Sequence, residues 1–229
     1  MILSDPEWQA VVLSLKVSGI AVLGSLPFGI LMAWILVRCR FPGKALLDSL
    51  IHLPLVLPPV VVGYLLLITL GRRGIIGEKL YDWFGFSFAF SWRGAALASA
   101  VIALPLMVRA IRLALEAVDS RLEQAARTLG AGRWRVFLTI TLPLTLPGVI
   151  AGTVLAFARS LGEFGATITF VSNIPGETRT LPLAMYTLIE TPGAEGAAAR
   201  LCVIAIVLAL ASLLASEWLA RQSRKRMGN

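Results

Sequence analysis

Two charged residues, Arg159 and Glu163, stand four positions apart in the apolar stretch "VIAGTVLAFARSLGEFGATITFV". Four residues is one helical turn, so both side chains share a face. A charge in such surroundings is expensive unless it is paired or lines a polar path. Two readings stay open: a path that draws an anion toward Arg159 with Glu163 moderating its hold, or an ion pair that fixes packing. A second set of polar residues lies in "LEQAARTLGAGRWRVFLTITLP", positions 122–143. Ser120 and Glu123 have the spacing of a capping box. Leu122, Ala125, Ala126 and Leu129 then mark one apolar face at helical spacing. Gly130 and Gly132 end that helix, and a second one begins at Arg133. The expected product, over 119–143, is a helix–turn–helix whose small residues permit close approach of another protein. On residues alone, a docking helix and a solvated connector fit equally.

Other chemistries find no residues to perform them. His52 is the only histidine, and it is expected at a span entrance with a backbone or water partner. Cys39 and Cys202 lie far apart, in no CxxC or metal-ligand spacing, so no metal site is expected. There is no G-x-x-x-x-G-K-[ST] loop, no HExxH and no G-x-S-x-G. "FPGKA" keeps a Gly-Lys pair but lacks the upstream glycine and the following hydroxyl. No catalytic residue is expected, and no nucleotide is expected to bind to this chain.

These polar groups must be held by a very apolar body. Of 229 residues, 57% are hydrophobic and 15% charged, against about a quarter charged in ordinary soluble domains. The apolar residues fall in long runs, which read as membrane spans. Five are expected, at about 12–37, 49–70, 94–115, 146–171 and 200–220, making an all-α, polytopic membrane protein of one domain. Pro27 and Pro105 are expected to kink their spans. "LPLVLPP" and "LPLTLPG" form a weak internal echo at two span entrances. The opening "MILSDPEWQA" holds Asp5 and Glu7 in place of a basic region, so no cleaved leader is expected.

The net charge of +8 comes from basic residues between and after the spans, which argues for topology and against nucleic acid. Arg38, Arg40, Lys44, Arg109, Arg112, Arg121, Arg127, Arg133, Arg135 and a basic tail all fall on one side. Fewer, including Arg72, Arg73, Arg93 and Arg179, fall on the other. The positive-inside rule then places the N-terminus outside and the C-terminus in the cytoplasm. Lys16, near the outer end of the first span, is expected to snorkel. Tyr81, Trp83, Phe84 and Trp92 suit an interfacial belt, and "LPLAMYTLIE" a short surface helix.

The segment Gln124, Ala125, Ala126, Gly130, Ile140, Leu142 and Pro143 resembles the EAA loop of permease subunits of ABC importers. It departs at the first position, where Gln124 stands and the acid moves to Glu123. "RSLGEFGATITFVSNIPGETRTLP" is similar to permeases of the molybdate branch, with sulfate and thiosulfate permeases as near neighbours and tungstate as an alternative passenger. The resemblance implies a type I importer permease in the bacterial inner membrane, with segment 119–143 as its coupling helix–turn–helix. It also implies a second permease copy and two cytoplasmic ATP-binding subunits, which hold ATP and Mg. An extracytoplasmic oxyanion-binding protein completes the set. An ion-coupled secondary transporter would explain the spans but not this motif.

Overall fold

A computed structural model describes residues 3–227, and all their regular structure is helical. The chain opens with α1 (Asp5–Arg38), then α2 (Lys44–Val56), α3 (Pro59–Leu70), α4 (Gly77–Phe84) and α5 (Trp92–Glu116). There follow α6 (Ser120–Thr128), α7 (Arg133–Val136), a π-helical turn (Phe137–Thr141) and α8 (Leu142–Leu161). The chain closes with α9 (Gly165–Val171), α10 (Leu181–Ile189) and α11 (Glu195–Met227). Four rods are long and apolar enough to cross a membrane: α1, α5, Arg133–Leu161 and Glu195–Leu219.

Two of the expected spans are interrupted. Segment 49–70 is not one rod: α2 and α3 meet at a bend of 114°. Leu57 and Pro58 take extended backbone, with ψ of 141° and 133°, because a residue before proline is driven out of the helical region. Segment 146–171 is also interrupted, since α8 stops at Leu161 and α9 begins only at Gly165. Pro27 and Pro105, by contrast, lie inside continuous helices.

The centre of the bundle is α5, packed between α1 and α8. Ala33, Leu36, Met107, Ile111, Leu115 and Ala156 are almost fully buried there. Small residues let the helices approach, as where Gly152 faces Met107 and Ala110. A second core joins α3, α5 and α9 around Phe170, and a third joins α1, α10 and α11 around Leu201. The outward faces are apolar instead of polar: Leu23, Phe28, Leu65, Leu210 and Leu214 are all exposed. A surface of this kind suits lipid or another subunit and not water.

The surface helix expected in "LPLAMYTLIE" is α10, and it is anchored, not loose. Leu181 and Leu183 are buried, and the Leu181 N–H donates to Ser14 Oγ at 2.6 Å.

Candidate functional site

Helix α6 starts at Asp119, not at a Ser120–Glu123 capping box. Asp119 Oδ1 accepts from the Arg121 N–H at 2.9 Å. The box geometry occurs at the start of α1, where Glu7 Oε2 accepts from the Ser4 N–H at 2.7 Å. Glu123 is withdrawn from capping by stronger partners. Its Oε1 accepts from Arg38 Nη2 at 2.7 Å and from Thr141 Oγ1 at 2.7 Å. Glu123 is 7% exposed, so its carboxylate faces the bundle and offers nothing to a partner protein. One buried carboxylate thus ties α6 to the end of α1 and to the π turn that leads into α8.

The far end of α6 is closed by its own backbone. Gly130 has φ of +86°, a conformation that side chains other than glycine's adopt at a penalty. The Gly130 N–H reaches Arg127 O and the Ala131 N–H reaches Ala126 O, both at 3.0 Å. That pair of bonds is a Schellman stop, and it turns the chain so that Gly132 starts α7. The π turn then carries the ladder toward Pro143, with the Leu142 N–H reaching back to Phe137 O. Pro143 follows the π turn directly, at the start of α8 and inside the continuous rod Arg133–Leu161.

The opposite face of this helix–turn–helix is uncovered. Leu129 is 88% exposed and Trp134 79%, and Leu122 and Leu138 are exposed beside them. Of the motif residues, Gln124, Ala125, Gly130 and Pro143 are exposed, while Ala126, Ile140 and Leu142 are half-buried. The segment therefore has two sides: an anchored polar side centred on Glu123, and a side with exposed apolar residues that no other described element covers.

Arg159 and Glu163 do meet, with Nη1 and Oε2 2.8 Å apart. They do not share a continuous helix, because Glu163 sits in the break between α8 and α9. Its side chain is 1% exposed against 30% for Arg159, and its Oε1 accepts from the Ala166 N–H at 2.8 Å. The carboxylate so holds the first turn of α9 against the last turn of α8. Helix α9 in turn packs on α3. A Cβ added at Gly63 would lie 2.6 Å from Ala166 O, so glycine is what lets the two helices touch. The two interrupted elements, α2–α3 and α8–α9, are thereby placed side by side.

His52 has the expected backbone partner, its Nδ1 lying 2.9 Å from Asp48 O, and in addition a carboxylate, that of Asp48, at 3.1 Å. The other Asp48 oxygen accepts from Arg112 Nη1 at 2.9 Å, tying α2 to α5. In the sequence Arg38 stands out only as one of the charges that set the topology, and Thr141 and Gly63 do not stand out at all. Their partners lie 85, 18 and about a hundred positions away, beyond the reach of local spacing rules. Among the described residues, no group of three His, Cys, Asp or Glu gathers in a way that could hold a metal.

The chain matches the family model of the binding-protein-dependent transport system inner membrane component over residues 25–228. It is 81% identical to the molybdenum transport system permease protein ModB of Escherichia coli K12 over 228 residues, all of both chains. It is 65% identical to the protein of the same name from Haemophilus influenzae, over 97% of each. It is 42% identical to the E. coli sulfate transport system permease protein CysT, over 82% of this chain and 66% of that one. A bacterial ABC transporter that imports alginate shares the fold, with a TM-score of 0.74 at 20% identity, over 96% of this chain and 80% of the other. The MetNI methionine transporter does so with a TM-score of 0.68 at 14% identity, over 96% and 99%.

Proposed function

This chain belongs to the family of binding-protein-dependent transport system inner membrane components, and from that premise we propose that it is the permease subunit of a molybdate importer. The observation that carries the proposal is the full-length 81% identity to the E. coli molybdenum permease. The chain is a multi-pass inner membrane transport subunit and not an enzyme. Sulfate is the second reading, since a sulfate permease is matched at 42% and both cargoes are divalent oxyanions.

The working assembly is two permeases, two cytoplasmic ATP-binding subunits and one extracytoplasmic binding protein. ATP and Mg are held by the ATP-binding subunits. The end of the bundle that carries α6 faces the cytoplasm, because Arg38, Arg40, Lys44, Arg112, Arg127 and Arg133 gather there. The N-terminus then lies outside. The apolar side of α6–α7, with Leu122, Leu129 and Trp134, docks on the ATP-binding subunit. Closure of those subunits displaces α6, and the Glu123 bonds pass the displacement to α1 and α8. Coupling requires that the docked contacts differ between the two states of the bundle. Arg159 and Glu163 act as a packing pair that fixes α9 against α8. Cells lacking their own molybdate permease, given this chain and its partners, take up labelled molybdate in the presence of a tenfold excess of sulfate. Uptake abolished by that excess would assign the cargo to sulfate instead.

A further inference from the structure

Between α1 and α5 lies an apolar cleft of about 550 Å3 that opens on the outside of the bundle. Ile20, Gly24 and Phe28 form one wall, and Leu97, Ala100 and Leu104 the other. Trp92 and Arg93 stand at its upper rim, and Lys16 Nζ sits 3.7 Å from the centre of the Trp92 ring. Neither Lys16 nor Arg93 forms an ion pair among the described residues, and both are exposed; the carboxylate beside them, Glu177 Oε1, accepts from the Trp92 N–H at 3.4 Å. Arg93 lies over the rings of Phe86 and Trp92, at 6.0 and 5.7 Å.

The depth of these residues is fixed by helix geometry. Arg38 closes α1, and a hydrocarbon core of about 30 Å corresponds to about 20 helical residues. Counting back from Arg38 puts Lys16 at the opposite boundary. On α5 the interval from Arg112 to Arg93 spans about 28 Å and reaches the same level. From that boundary the cleft descends about 16 Å along α5, from Arg93 to Leu104. One leaflet of hydrocarbon is about 15 Å deep. A cleft one acyl chain deep, with two unpaired cations and an indole at its head, matches one kind of molecule.

We propose that this cleft binds an anionic glycerophospholipid of the leaflet at the Lys16 end, with one acyl chain between α1 and α5 and the headgroup phosphate between Lys16 and Arg93. Charge complementarity selects the anionic headgroup, because the rim carries two cations, neither in an ion pair, against the single carboxylate of Glu177, which is held by the Trp92 N–H. The lipid seals the outer seam between the two helices that run side by side through the core. This goes beyond the transport reading and stands on the position of the cleft and on the two cations at its rim.

Native mass spectrometry of the assembled importer in detergent, with equal amounts of phosphatidylglycerol and phosphatidylcholine added, reads the binding. Wild type retains phosphatidylglycerol at least fivefold over phosphatidylcholine, and Lys16→Ala combined with Arg93→Ala removes that preference. Gly24→Leu is the control for assembly, since a Cβ at Gly24 meets nothing within 4 Å. It fills the cleft and lowers adducts of either lipid in an intact complex. Equal retention of the two lipids by wild type would overturn the proposal, as would unchanged adducts in Gly24→Leu. So would a disulfide formed by Leu97→Cys with the second permease copy, which would make this face a subunit contact.

Discussion

Arg38 and Glu123 lie 85 positions apart and are joined by a 2.7 Å charge-assisted hydrogen bond at the point where α6 meets α1. Thr141 completes the contact from the base of α8. Helix α6 is nine residues long, too short to hold its shape unaided in water. Its position relative to the bundle therefore depends on what it is tied to. Glu123 is the one buried residue of the helix, and its two bonds lead to the two long rods flanking α5. An assembly that must move rods by pushing on a short helix needs a stiff junction at this place.

The uncovered side of the same helix should be separable from the anchored side. Leu129→Arg removes apolar surface that is exposed here, so the permease should reach the membrane at its normal level. The ATP-binding subunit should co-purify at least tenfold less well, consistent with the loss of about 1.5–3 kcal/mol of leucine burial. Ala126→Arg should act in the same direction. Normal co-purification with Leu129→Arg would move the docking surface elsewhere.

Substitutions at Gly130 should be graded by backbone preference. At φ of +86°, asparagine is tolerated better than valine, and proline cannot adopt the angle. Uptake should fall in the order Gly130→Asn, Gly130→Val, Gly130→Pro at equal expression. Equal uptake by all three would show that the turn need not keep its shape.

Arg159→Gln and Glu163→Gln should differ in severity. The arginine variant takes the ion-pair partner from a carboxylate in a 1% exposed site, where an uncompensated charge is costly. The glutamate variant leaves Arg159, part exposed, able to rehydrate, and the new amide oxygen can still accept from the Ala166 N–H. Assembled protein should drop more for Arg159→Gln, and the double Gln variant should recover part of the loss. Equal, normal assembly of both single variants with impaired flux would instead make the pair a path element.

How much of this was legible in the sequence depends on the range of each interaction. Helices α1, α5 and α11 follow from uninterrupted apolar length, which any window of residues displays. The bend at Leu57 and Pro58 was written in "LPP" but hidden by the apolar run around it. Glu163 was visible as a charge, yet a helix through 146–171 was the simpler reading until the Ala166 N–H showed the carboxylate starting a new helix. The capping error at Ser120 has the same root. Spacing rules see Glu123 and its neighbours, but not an arginine from another rod that outcompetes them.

Glu7 supplies a pH dependence at the N-terminal end of α1, beyond the expected hydrocarbon span. The Ser4 N–H bonded to its carboxylate lowers its pKa from 4.5, burial opposes this, and the Ser4 hydroxyl and Arg200 add to the lowering. Arg200 Nη2 is 2.9 Å away and ties α11 to α1. A lowered folded pKa means the stabilisation is complete above about pH 4.5 and is lost as pH falls through the folded value. The melting temperature in detergent should decline below about pH 4.5 more steeply for wild type than for Glu7→Gln. Parallel curves would show that Glu7 does not differ between the folded and unfolded chain.

The junction itself is tested most directly by exchanging its charges. In vesicles carrying the reconstituted importer, the ratio of anion transported to ATP hydrolysed is measured for Arg38→Glu, Glu123→Arg and the two combined. Each single change should lower the ratio at least tenfold while hydrolysis continues, and the exchanged pair should restore much of it. Single variants that transport as much anion per ATP as wild type would contradict the role given to Arg38 and Glu123.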